Sequence, residues 1–315
     1  MKSKQNKDID WSLRLLVSLL FCAFGLSSCA LDSMAGGVLA DSLSKPGSNT
    51  VFTGDDDPIL VGDALPFAIK MYETVLAMKP EHDGMLQMVG SLYVMYANVY
   101  VALPASMLTD EHFDEKSAAI KRAKLLYLRG TTFLFRSLEH RHPGFKAAFD
   151  KGDLATVLVK CTKEDVASLY WAGAGWFGAM SLDILDASLG LRITQAKEMM
   201  DRAYQLDPDF NQGALDDFFV MYYASMPEGM GRDLAKAEKH FKESLRKSKG
   251  LRAGPWLAWA ESTALPAQKR QEFDELLDKA LAVDAHADPD GVLVNTIMQN
   301  KARYYKGQLD TLFWQ

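Results

Sequence analysis

From Leu60 onward, apolar residues recur at intervals of three and four, and strict apolar–polar alternation is nearly absent. That period predicts amphipathic helices and no sheet. The punctuation agrees: Lys79-Pro80, Leu103-Pro104, His142-Pro143-Gly144, Asp207-Pro208 and Leu265-Pro266 fall where helices are expected to stop. The expectation is an all-α body of about a dozen helices over residues 59–315.

Some of these helices resemble one another. Ala68, Tyr72, Val75 and Pro80 have the small–large–small–proline spacing of the second helix of a tetratricopeptide repeat. Ala196, Met200, Ala203 and Pro208 repeat it, Ala237, Phe241 and Ser244 follow, and Phe273, Leu277 and Ala280 form a weaker copy ending at Asp284. Leu86, Val89, Gly90 and Tyr93 take first-helix positions. Small residues let paired helices approach, and each pair leaves an apolar face that only a neighbouring pair can cover. The matched positions lie 41 and 36 residues apart, beyond the standard 34, so the repeats are degenerate, with lengthened turns such as 226–231. The fold class expected is thus a tetratricopeptide-like α–α superhelix.

The start of the chain follows a different pattern. Lys2, Lys4 and Lys7 precede an apolar run from Leu15 to Leu26, too short to cross a hydrocarbon core of ~30 Å as a helix. The run ends at Leu26-Ser27-Ser28-Cys29, which resembles the bacterial lipobox. Residues 1–28 therefore read as a lipoprotein signal peptide and Cys29 as the lipidation site. Residues 29–58, rich in Gly, Ser and Asp, read as a tether or a strap packed on the body. Ala30 follows Cys29 where Asp would favour inner-membrane retention, so an outer-membrane attachment facing the periplasm is slightly preferred.

Composition sharpens this. The chain has 35 basic and 41 acidic residues in 315, a net charge of −6, and removing residues 1–28 takes it to −8. That balance argues against a nucleic-acid surface. Of three cysteines, only Cys161 remains as a thiol after cleavage and lipidation, and it reads as a small buried apolar residue.

Candidate chemistry is sparse. Gly173-Ala174-Gly175-Trp176-Phe177-Gly178 satisfies a dinucleotide pattern but lies inside a helix expected to start near Thr162, without the preceding strand that the fingerprint needs. Its glycines serve either close helix packing or an aromatic-walled channel. Tyr170, Trp171, Gly175, Trp176 and Phe177 are candidate ligand-lining residues, as are Phe218, Phe219 and Tyr222 in a second aromatic run. Trp256 and Trp259 invite the same reading. His140-Arg141-His142 suits a helix C-terminus better than a metal. Asp55, Asp56 and Asp57 with Asp63 lack the alternation of a Ca²⁺ loop; Asp56 or Asp57 suits turns around Pro58, and Asp63 can cap a helix entered at Ala64. The Glu238–Lys247 stretch reads as a solvated mixed-charge face. No HExxH, CxxC, GxSxG or Walker pattern occurs, so neither an enzyme nor a cofactor is expected.

The stretch Ala35-Gly36-Gly37-Val38, Val51-Phe52, Asp55-Asp56-Asp57-Pro58 and Val61-Gly62-Asp63-Ala64-Leu65-Pro66, leading into the repeat-like helices, resembles the T-component family of tripartite ATP-independent periplasmic (TRAP) transporters. The resemblance spans the mature chain. It implies a lipid-anchored periplasmic protein that docks a TRAP-type solute-binding protein, forms a homotrimer and relays a small hydrophobic ligand through a helical pore. It also opens an inter-subunit or partner role for Asp55, Asp56 and Asp57. The alternative reading is a lipoprotein scaffold for envelope assembly that binds a peptide or protein in its concave groove.

Overall fold

The computed structural model describes residues 36–314 except Pro46 and Asn49. The signal-peptide run and Cys29 lie outside the described residues. Among the described residues there is no strand, and the body is all-α as expected.

The first long helix, α1 (Pro58–Met78), starts earlier than expected. Asp57 is its N-cap, its carboxylate accepting from the backbone N–H of Ile59 and Leu60, and Pro58 suits the first turn, where no N–H is needed. Asp63 therefore lies inside the helix and does not cap it, because Asp57 already supplies the cap. The strap is not wholly irregular either. Residues 36–43 are helical, with Gly36 against Met78, and Thr50–Thr53 forms another turn of helix beside the C-terminal helix.

Helix α2 (Asp83–Tyr96) runs without a break through a π-helical Ala97–Ala102 to a last turn, Leu103–Ser106. Pro104 therefore does not end it where expected. Pro104 offers no N–H to the Tyr100 carbonyl, and the wider turn, in which the Leu103 N–H reaches Asn98, absorbs the mismatch. The combined helix is long and apolar enough to span a membrane, yet it packs against α1 and against α3 (Phe113–Arg141) as a core helix.

After α3 come α4 (Phe145–Lys151), α5 (Val166–Leu182), α6 (Ile193–Leu206), α7 (Ala214–Ser225), α8 (Leu234–Lys247), α9 (Gly254–Trp259, continued by a π turn to Ala264), α10 (Arg270–Leu281) and α11 (Val292–Gly307). Successive long helices pack antiparallel: Gly90 meets Leu134 while Asn98 meets Tyr127, and Ser137 meets Ser168 while Tyr127 meets Gly178. The residues picked out by the repeat spacing are interior. Ala68, Tyr72, Ala196, Met200, Ala237, Phe273 and Ala280 are all buried.

The ends of the array meet. Leu293 and Ile297 of α11 join the core of α1 and α2, and the Tyr304 hydroxyl donates to the Met107 carbonyl. An open superhelix would leave those end faces bare; here each covers the other.

Candidate functional site

The expected ligand-lining residues fall into three groups, not one wall. Phe177, Phe218, Phe219 and Tyr222 come together where α5 meets α7. The Phe177 ring lies 4.9 Å from Phe218 and 5.8 Å from Tyr222, and Phe218 lies 5.2 Å from Phe219. Tyr170 and Trp171 pair at 5.1 Å and continue to Phe210. Trp176 faces elsewhere: it packs against Phe135 and Phe149, and its indole N–H donates to the Leu189 carbonyl at 3.1 Å. Trp256 and Trp259 lie further along, both against Phe241.

Thr162 begins the glycine-bearing helix as foreseen, in a capping box with Asp165. The glycines on it serve contact. A Cβ on Gly175 would stand 2.5 Å from the Thr131 hydroxyl and 2.9 Å from a Val94 methyl. One on Gly173 would meet Met200 at 2.5 Å, and one on Gly178 the Tyr127 ring at 2.6 Å. Other side chains already occupy those spaces, so close packing accounts for all three glycines.

The first aromatic group has a cationic lid that sequence reasoning missed. The Lys197 ammonium lies over Phe219, Tyr222 and Tyr223 at 5.7, 5.4 and 5.8 Å, steadied by Asp201. Lys197 and Asp201 look in sequence like any solvated i, i+4 pair. Burial is the largest single influence on Lys197 and lowers its pKa, but the hydrogen bond it donates to Asp201 and the charge of that carboxylate together outweigh it, and the net shift is upward. An aromatic floor with a half-buried cation suits a ligand that pairs an apolar body with an anionic or strongly polar group.

Beneath this patch lies a buried charge network. Asp216, with no exposed surface, accepts from Lys247 at 2.6 Å, pairs with His240 at 2.7 Å and accepts from the Tyr204 hydroxyl at 3.1 Å. Its neighbour Asp217 binds Arg252 at 2.6 Å and accepts from Ser244. This corrects the solvated reading of the Glu238–Lys247 face. Glu238, Lys242 and Arg246 are exposed as expected, but the Lys247 side chain is 4 % exposed because Asp216 holds it inside.

A second buried cluster closes α3. Arg141 and His142 grip Asp165 at 2.8 and 3.0 Å, while His140 pairs with Asp83 at the surface. Cys161 is buried beside them, and burial pushes its thiol up to about 11. The ligand atoms of His142, Cys161 and Asp165 approach within 4.8 Å of one another. The Asp165 carboxylate is already engaged, however: Oδ1 is ion-paired with Arg141 without a hydrogen bond, and Oδ2 meets His142 and the Thr162 N–H. The arrangement works as a helix-end clamp.

The acidic strap is local. Asp57 caps α1, Asp55 accepts from the Asp57 N–H at 2.8 Å, and Asp56 lies exposed, 4.0 Å from His286.

The chain matches the model of the TRAP transporter T-component family over residues 54–313. It is also 36 % identical over 299 residues to an uncharacterized protein of Treponema pallidum (strain Nichols), an alignment covering 94 % of this chain and 93 % of that one. The chain belongs to the TRAP transporter T-component family, a family of transporter accessory proteins and not of enzymes.

Proposed function

We propose that this protein is a lipid-anchored, periplasm-facing accessory of a TRAP transporter that docks the solute-binding protein, works as a homotrimer, and relays a small hydrophobic ligand. The family match across residues 54–313 carries this reading. The lipid at Cys29 would hold the body at the membrane, and Asp55, Asp56 and Asp57 lie on the strap, where a neighbouring subunit or partner can reach them. Of the candidate residues, Phe177, Phe218 and Tyr222 form a half-buried cluster whose Tyr222 ring lies under Lys197, and they are the ones best placed to meet a ligand.

The test is transport in a strain lacking this gene. Uptake of the solute carried by the cognate TRAP system is expected to fall and to be restored by the wild-type gene. A Phe218→Ala/Tyr222→Ala variant, expressed at wild-type level, should restore it poorly. Full uptake without the gene would refute the accessory role, and full rescue by the double variant would refute the aromatic site.

A further inference from the structure

The face built by α1 and α3 carries a charge pattern that the transporter reading does not use. Arg122, Arg129 and Arg136 recur every seven residues along α3, so they stand in one row about 10 Å apart. All three are exposed. Arg141, Arg246 and Arg252 each hold a carboxylate, whereas these three lie over aromatic rings. Arg122 sits 5.8 Å from the Tyr96 ring, Arg129 5.6 Å from Tyr93, and Arg136 5.6 Å from Phe133. Contact with the rings holds the guanidinium groups over the aromatic faces while leaving N–H groups for an anion, although Arg136 donates one to the Pro80 carbonyl.

Between α1 and two members of this row, Arg129 and Arg136, runs an open groove of about 580 Å³, with Lys70 and Glu73 on the α1 side. Glu73 is taken up by Lys70 and by the Tyr93 hydroxyl, so the face stays basic in a chain that is acidic overall. Large apolar side chains stand out beside it: Phe67 is 75 % exposed and Leu125 59 %. The strap gives its placement. Gly36 packs on Met78, the last residue of α1. Seven residues separate Gly36 from Cys29, a reach of at most ~25 Å.

We propose that the α1–α3 face rests on an anionic lipid surface, its arginine row binding headgroup phosphates and Phe67 and Leu125 entering the headgroup layer. Its placement rests on the lipid-anchor reading; its chemistry does not. The exposed apolar flanks and the short tether favour a membrane over an acidic protein, which would require neither.

The test uses the mature chain with Cys29→Ser, sedimented with phosphatidylglycerol/phosphatidylcholine vesicles or with phosphatidylcholine alone. Binding to the anionic vesicles only is expected, and it should be lost at high salt. Each basic residue at such a surface is worth about fivefold, from ~1 kcal/mol. Arg122→Glu/Arg129→Glu/Arg136→Glu should therefore cut partition at least ~tenfold, while Lys239→Glu/Lys242→Glu on α8 should not. Equal binding to neutral vesicles, or no loss in the triple variant, would overturn the proposal. So would capture of poly-L-glutamate at this face without vesicle binding. The mass of the mature N-terminus reads lipidation separately. An unlipidated chain that still binds anionic vesicles refutes the anchor and supports the face; a lipidated chain whose Cys29→Ser form ignores them does the reverse.

Discussion

Two seams in this body bury helix against helix by opposite means. Where α2, α3 and α5 meet, side chains are removed: a Cβ on Gly130 would lie 2.6 Å from the Gly90 carbonyl oxygen. Where α7 meets α8, charges are inserted, with Asp216 and Lys247 paired out of solvent. The glycine seam gains close contact and pays for it in helix propensity. The charged seam requires that every partner be present, because a buried charge left alone costs more than the pair contributes.

The difference can be pushed at either end. The largest effect is expected from Asp216→Ala, which strands Lys247 and leaves His240 and Tyr204 without their acceptor. Denaturant unfolding should show a loss of ~3–5 kcal/mol. Replacing both members, Asp216→Leu with Lys247→Met, should recover much of it, since no charge is then stranded; a double variant no better than the single would contradict the seam's logic. A smaller loss is expected from Gly130→Ala. Alanine gains ~1 kcal/mol of helix propensity, but the clash here is with backbone, which cannot turn aside as a side chain can. The net should be destabilising by ~1–3 kcal/mol. A more stable Gly130→Ala protein would show that the seam is looser than the contacts imply.

The smallest effect concerns a half-buried pair that neither seam uses. The hydrogen bond from Lys124, helped by Ser188, lowers the Asp186 carboxyl from 3.8 to about 2. A depressed folded-state value means the contribution is present above pH 3.8 and lost as pH falls toward 2. Wild type should therefore lose slightly more stability than Asp186→Asn across that window. Parallel acid limbs would remove Lys124–Asp186 from the account.

The two seams also differ in how far the sequence discloses them. Gly175 and Gly178 announce themselves, because glycine inside a helix needs a reason, and the small positions Ala68, Ala196 and Ala237 set the register of the helix pairs. Asp216–Lys247 is hidden, since the partners lie 31 residues apart and Lys247 sits in a charge-rich helix that looks solvated. Proline misleads for a related reason. Pro104 is read as a stop, yet a π turn lets the helix pass, and Pro66 lies within α1. The aromatic site was half legible: Phe177, Phe218, Phe219 and Tyr222 converge, but residue type alone does not show that Trp176 turns toward Phe149 or that Lys197 covers the cluster.

The central claim, partnership with a TRAP system, has a direct measurement. The soluble chain lacking residues 1–29, immobilised and exposed to envelope extract of its own bacterium, should retain a TRAP-type solute-binding protein as its principal partner. Retention of outer-membrane assembly factors with no solute-binding protein would contradict the claim and favour a scaffold.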